Sequence, residues 1–199
     1  MTLMHLEPAV IESRFVRLEP LGETHRDDLR AACAADETIW RELYPVSWAP
    51  DAFDASWAAF AKENAEGRYI TFAVIAGGRC VGMSSYMGAA PKNATVEIGG
   101  TYYRPEVRGG PVNPAAKRLL LENAFAAGAR RVQLNVDALN LRSRAAVLKL
   151  GAVQEGMLRQ DRVTWTGRVR DTVIFSILRD EWPSVRERLD ARLAGLASG

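Results

Sequence analysis

The chain is poor in the side chains that most metal and nucleophile chemistry needs. It has two histidines, His5 and His25, both near the N-terminus. A histidine-based zinc site or a Ser-His-Asp triad therefore has almost nothing to draw on. The two cysteines, Cys33 and Cys80, lie far apart in no ligand-like spacing. They read as reduced, small apolar residues. No run approaches the roughly 18 consecutive apolar residues that a membrane span requires. Residues 1–10 hold the acidic Glu7 and no basic stretch, so no secretory signal is expected and a cytoplasmic location is the default. Neither a Gly-Lys-Ser/Thr phosphate loop nor a Gly-x-Gly-x-x-Gly fingerprint occurs, which excludes the commonest nucleoside-triphosphate and dinucleotide sites.

What is present is ordinary globular material. The 199 residues are 48% apolar and 25% charged, enough for one domain spanning 1–199 with a buried core. The net charge of +2 is unevenly spread: residues 1–100 sum to −5, residues 101–170 to +8 and residues 171–199 to −1. A basic block of that size suits an anionic partner, although solvated arginines on helix faces give the same count. No aromatic-basic RNA motif or zinc-ligand set accompanies it, so nucleic acid is not the expected partner.

Periodicity and turn residues divide the chain without repeats or long linkers. Residues 13–21 alternate as a first strand, and residues 24–35 read as a helix with Thr24 as cap. Residues 40–50 look irregular and aromatic, with Trp40, Tyr44 and Trp48. Asp51 or Asp54 then caps an amphipathic helix to about residue 66, with Trp57 and Phe60 on its inner face. Strands at 69–75 and 79–87 join through Ala76-Gly77-Gly78, a hairpin signal, and a third covers 95–103. A helix (114–128), a strand (131–136), a helix (140–150) and two strands (153–163 and 170–178, turning at Thr166-Gly167) follow. A charged helix closes the chain at 180–196. This order predicts an α/β fold: a central mixed, mostly antiparallel twisted sheet of about seven strands, with helices on both faces.

The strongest local feature is Arg108-Gly109-Gly110-Pro111-Val112-Asn113-Pro114, between a strand and a helix. Asn113 is a favoured N-cap and Pro114 suits the first helical position. Glycines before the cap let backbone amides turn toward an anion, and the helix N-terminus adds partial positive charge. The result is a phosphate cradle with Arg108 as an added cation. A glycine turn capping a core helix is the plainer alternative.

In its company the loop resembles part of a known family. Residues 97–182 look like the GNAT superfamily of N-acetyltransferases, and more closely its RimJ/RimL-type branch of ribosomal-protein N-terminal acetyltransferases. The family's Arg/Gln-x-x-Gly-x-Gly/Ala loop falls on residues 108–113, and its Asn-x-x-Ser signature on Asn140 and Ser143. The branch's Gly-Arg-Val-Arg-Asp-Thr-Val and Glu-Trp-Pro segments read here as residues 167–173 and 181–183. Pro111 stands where the family usually has its central glycine, which removes one amide donor, and Asn113 replaces a small residue.

The resemblance implies acetyl-CoA as cofactor and a primary amine, a protein N-terminus or small amine, as acceptor, with a possible homodimer. It assigns Arg108, Gly109, Gly110, Pro111, Val112 and Asn113 to the pyrophosphate. The strand end at Tyr102 and Tyr103 goes to backbone pairing with the pantetheine arm, a form of β-augmentation. Many members use a tyrosine as acid where this chain has Val147. Ser143 is then the candidate to hydrogen-bond the sulfur, with Asn140 orienting the cofactor or a water. Asn140 is equally a good N-cap and Ser143 a solvated first-turn residue. Glu97, in an otherwise apolar strand, can take the proton from the incoming ammonium, directly or through water, if partial burial raises its pKa; a solvent-facing carboxylate or a structural pair with an arginine is the other reading. The 40–48 aromatics would wall the acceptor pocket or form a separate cluster. Because Pro111 and Val147 depart from the pattern, a non-catalytic CoA-binding or interaction domain stands as the alternative to the enzyme.

Overall fold

The computed structural model describes residues 3–197. Two short strands open it, β1 (Ile11–Glu12) and β2 (Arg17–Pro20), followed by helices α1 (Arg26–Ala34), α2 (Thr38–Leu43) and α3 (Phe53–Ala65). Three long strands come next: β3 (Tyr69–Ala76), β4 (Arg79–Ala90) and β5 (Thr95–Tyr103). Then α4 (Val112–Ala126), β6 (Arg131–Asp137), α5 (Leu141–Leu150), β7 (Val153–Val163), β8 (Val169–Leu178) and α6 (Trp182–Ala197) complete the chain. The strands form one sheet in the order β1-β2-β3-β4-β5-β6-β8-β7. Every pairing is antiparallel except β5 with β6.

Both faces of the sheet are covered, which is why its central strands read as nearly continuous apolar runs. On β3, Phe72 and Val74 join the larger core, with Leu120 and Leu121 of α4 and Val185 and Leu189 of α6. Their neighbour Ala73 faces the other way, into a second core built by Leu29, Trp40, Phe53 and Trp57 of the N-terminal helices and Trp48 of the segment between α2 and α3. The twofold alternation of a strand thus divides one run between two cores.

The sheet has eight strands, one more than the sequence expectation of about seven, because Ile11 and Glu12, ahead of the expected first strand, pair with β2 as the two-residue β1. Thr24 is no helix cap: it lies inside a 3-10 turn, Glu23–His25, that leads into α1. The aromatic segment at 40–50 is only partly irregular, since its first residues belong to α2, where Ile39 and Trp40 are buried. Burying Trp40 while its indole N–H donates to the Cys33 carbonyl (2.9 Å) outweighs the poor helix signal there. The cap of α3 is Ala52, neither Asp51 nor Asp54; Asp54 instead takes Arg26 and Arg30.

If α4 is held by core burial, Leu120→Ala, at a fully buried position, should cost about 2–5 kcal/mol in urea unfolding. Leu148→Ala, at a 53% exposed position, should stay within about 0.5 kcal/mol. Equal losses would mean that the two-face packing is wrong.

Candidate active site

Strands β5 and β6 separate part-way along their length. Their parallel pairing covers only Thr95–Arg131, Val96–Val132 and Glu97–Gln133. Beyond that point β6 stays with β8 as far as Asp137–Thr172, while β5 follows β4 through a register shift between Met83 and Ser85. Gly100 sits in the bulge at φ 56°, a conformation that favours glycine. The two strands therefore diverge around a cavity of about 410 Å³.

That cavity gathers most of the residues named from sequence. Glu97, Tyr103, Arg108, Gly109, Asn113, Asn140 and Ser143 line it, as does Val147. Tyr102 does not. Its ring packs on Trp40 at 4.4 Å and its hydroxyl donates to the Ala32 carbonyl at 2.7 Å, inside the second core. Tyr103 has its hydroxyl buried without a hydrogen-bond partner, and burial pushes its pKa up. The carbonyl oxygens of this strand end are already engaged: Thr101 accepts from the Tyr44 hydroxyl (2.7 Å) and Tyr103 from Arg108 Nε (2.8 Å).

At the far end of the cavity lies the start of α4. The helix begins before the expected cap: Pro111 is the N-cap, Val112 the first helical residue, and Asn113 sits inside the first turn. Proline serves well here because no amide is needed from the capping position itself. Among the described residues, the amides of Gly109, Gly110, Val112 and Asn113 have no backbone acceptor. Gly109 is at φ 82°, and Pro111 and Pro114 carry no N–H. Four amides at this helix N-terminus are thus left without a backbone acceptor, which is what an anion cradle would require. Gly110, Pro111 and Val112 form its outer rim and do not line the cavity. Arg108 is less free than expected. Besides holding the Tyr103 carbonyl, its Nη1 bonds Asp36 Oδ2 at 2.5 Å, and its Nη2 is buried without a partner.

The Asn-x-x-Ser pair takes both of its sequence readings at once. Asn140 caps α5, its side-chain oxygen accepting from the Ser143 amide at 2.9 Å, and both residues face the cavity. No described residue hydrogen-bonds the Ser143 hydroxyl. Glu97 is largely withdrawn from water, and desolvation raises its pKa; Arg162, Arg170 and a hydrogen bond from Asn135 act in the other direction. That bond, Asn135 Nδ2 to Glu97 Oε2 at 2.8 Å, crosses from β6 to β5 where the strands part. Among the described residues no arginine is ion-paired with Glu97, so the structural-pair reading is not what the geometry shows.

The sequence reading missed a buried lysine. Lys117, in α4, is only 5% exposed and lines the cavity. Its Nζ donates to Ser84 Oγ (2.9 Å) and Thr101 Oγ1 (2.6 Å), and no carboxylate among the described residues pairs with it. Desolvation holds its pKa down to about 7. Its position among Ala116, Leu120 and Leu121, in the apolar register of the helix, was the available signal.

This arrangement is shared with known proteins. The sequence matches the family described as acetyltransferase (GNAT) domain over residues 16–153. The chain belongs to the GNAT acetyltransferase family. A solved protein from T. thermophilus is 37% identical with a TM-score of 0.84, covering 96% of this chain and 100% of that one. A GCN5-related N-acetyltransferase from Brucella melitensis is 31% identical with a TM-score of 0.87, covering 97% of this chain and 89% of that one. RimJ from Mycobacterium smegmatis, solved with CoA-disulfide, is 24% identical and shows the same fold, with a TM-score of 0.77 over 91% of this chain and 90% of that one. No curated protein matches the sequence. GNAT acetyltransferases use acetyl-CoA, and this chain is an acetyl-CoA-dependent N-acetyltransferase of that family. Among the described residues, no helix is long and apolar enough to cross a membrane.

The lysine gives a prediction with a definite sign. A lysine whose folded pKa is depressed penalises the fold wherever the unfolded amine is still protonated. The penalty is complete below pH 7 and fades as pH rises from about 7 toward the ordinary value of 10.5. Wild-type stability should therefore gain about 1 kcal/mol per pH unit relative to Lys117→Met between pH 7 and 8.5. Parallel urea-unfolding curves at both pH values would show that Lys117 is not buried as an unpaired amine.

Proposed function

We propose that the protein moves an acetyl group from acetyl-CoA to a primary amine by direct attack within a ternary complex, with Glu97 as base and Ser143 at the sulfur. The observation that carries this is the convergence, in one cavity between diverging strands, of the free α4 amides and a desolvated carboxylate.

The residues fit the cofactor. Gly109, Gly110, Val112 and Asn113 offer backbone donors to a pyrophosphate. The β5 strand end at Thr101 and Tyr103 borders the slot for the pantetheine arm, with the buried Tyr103 hydroxyl still lacking a partner. Bound acetyl-CoA supplies the acetyl thioester, whose C–S bond breaks as the C–N bond to the acceptor forms and whose sulfur leaves as the thiol. Glu97 takes a proton from the acceptor ammonium so that a neutral nitrogen attacks; its raised pKa brings it nearer to that task. The unengaged Ser143 hydroxyl, set one turn into α5 by the Asn140 cap, donates to the sulfur as charge builds there. Val147 is 6% exposed on the same helix and has no proton to give, so the acid role falls to Ser143 or a water it holds. The acetyl transferase from Salmonella typhimurium that modifies the N-terminal serine of ribosomal protein L7/L12 shares the fold at a TM-score of 0.76, so the fold is compatible with a protein N-terminus as acceptor.

Titration calorimetry with acetyl-CoA followed by a thiol-release assay over an amine panel tests this reading. Ser143→Ala should lower kcat by roughly 10-fold or more with little change in acetyl-CoA affinity. Glu97→Gln should lower kcat/KM by about 100-fold and abolish the acidic limb of its pH profile. Unchanged turnover in either variant removes that residue from the mechanism. Tight acetyl-CoA binding with no turnover on any amine would favour a non-catalytic CoA-binding domain.

A further inference from the structure

One side chain in the cavity has no function in the acetyltransfer steps. Arg170, in β8, is 5% exposed and lines the cavity. Its Nε is fully buried without a hydrogen-bond partner. The nearest carboxylate oxygen, Asp137 Oδ2, lies 3.7 Å from that nitrogen, too far for a hydrogen bond. Among the described residues none accepts from any of its N–H groups. Asp137 is instead bonded to Arg168. A guanidinium N–H that is buried with no acceptor is costly unless something from outside completes it.

The surroundings say what that something is. Arg162 of β7 is the direct cross-strand partner of Arg170. It also lines the cavity, with its Nε on Asp161 at 2.7 Å. Arg162 and Arg168 are hydrogen-bonded to Asp161 and Asp137, and Arg170 is the one of these three arginines with no hydrogen-bonded carboxylate among the described residues. Both Arg162 and Arg170 act electrostatically on Glu97, the proposed base. The other arginines of the cavity, Arg108 and Arg142, belong to the end formed by α4 and α5, where the phosphate cradle lies. The cavity is also lined by the apolar side chains of Phe60, Met83 and Met87 and by the ring of Tyr69.

We propose that Arg170, assisted by Arg162, binds the carboxylate of the acceptor, and that the acceptor is a free α-amino acid with an apolar side chain. This rests on the acetyltransfer reading above. A planar guanidinium fork matches a carboxylate with two parallel hydrogen bonds. An α-amino acid carries that carboxylate one carbon from the amine, so one molecule meets Arg170 and Glu97 together. A polyamine would add positive charge beside two arginines. An ordinary peptide N-terminus would present a neutral carbonyl and leave Arg170 unpaired. The Gly167-to-Val173 stretch, singled out in the sequence, thereby gains a role: Arg168 neutralises Asp137 and Arg170 is left to the substrate.

Matched acceptors isolate the carboxylate: phenylalanine, phenylalaninamide and phenethylamine, beside octapeptides beginning with Ala or Asp. Wild-type kcat/KM should favour phenylalanine over its amide by roughly 100-fold. Arg170→Gln should erase that preference while leaving acetyl-CoA affinity within about 2-fold. Binding of phenylalanine to the CoA-loaded protein by calorimetry provides a readout independent of turnover, lost in Arg170→Gln and kept in Arg170→Lys at reduced affinity. An amide or peptide used as well as the free acid overturns the proposal and leaves acetyltransfer standing. Loss of acetyl-CoA binding in Arg170→Gln would place the arginine on a cofactor phosphate instead, which also overturns it. Tight CoA binding with no acceptor bound or turned over defeats both readings together.

Discussion

Everything at the site depends on two parallel strands that do not stay paired. β5 and β6 share three residue pairs and then part, β6 held by its ladder to β8 and β5 drawn aside through its bulge against β4. Parting strands leave backbone groups without ladder partners, an expensive condition in a protein interior. Here the open wedge is partly filled from within: Tyr44 and Arg108 take two carbonyls of β5, and Asn135 bridges to Glu97 at the apex. The wedge exists because the protein supplies just enough internal hydrogen bonds to hold it open around a cavity.

Lys117 ties the two halves of that cavity together. It rises from the second turn of α4, the helix whose N-terminus leaves four amides without a backbone acceptor, and its amine reaches the hydroxyls of Ser84 on β4 and Thr101 in the bulge of β5. That helix and the parting strand are thereby fixed to each other through one buried group. A neutral amine suits such a position better than a charged one, because no described carboxylate is paired with it to compensate the charge. The cost to stability is the same physics that makes the link sensitive to pH.

Much of the fold was legible in the chain. Alternation and turn residues placed β5, β7 and the β3–β4 hairpin nearly to the residue, since those signals are local. The errors fell where burial overrode local chemistry. Asn113 is a better cap than Pro111 by its side chain, yet the helix starts earlier, with buried Val112 as its first residue. Trp40 sits in a segment too irregular to read as helix, and its burial against Tyr102 makes it one. Side chains on a strand point alternately, so the ring of Tyr102 lies in the second core while Tyr103 lines the cavity.

The glycine loop before α4 and the capped Asn140–Ser143 turn are each written in contiguous residues, whose backbone preferences are local and so readable before any folding is known. Which side chains go unpaired is settled only when distant segments meet. That Arg108 is tied to Asp36 across 72 positions, that Lys117 lacks a counter-ion and that Arg170 lacks an acceptor among the described residues are facts about distance in space. A sequence counts its charges but does not say which of them meet.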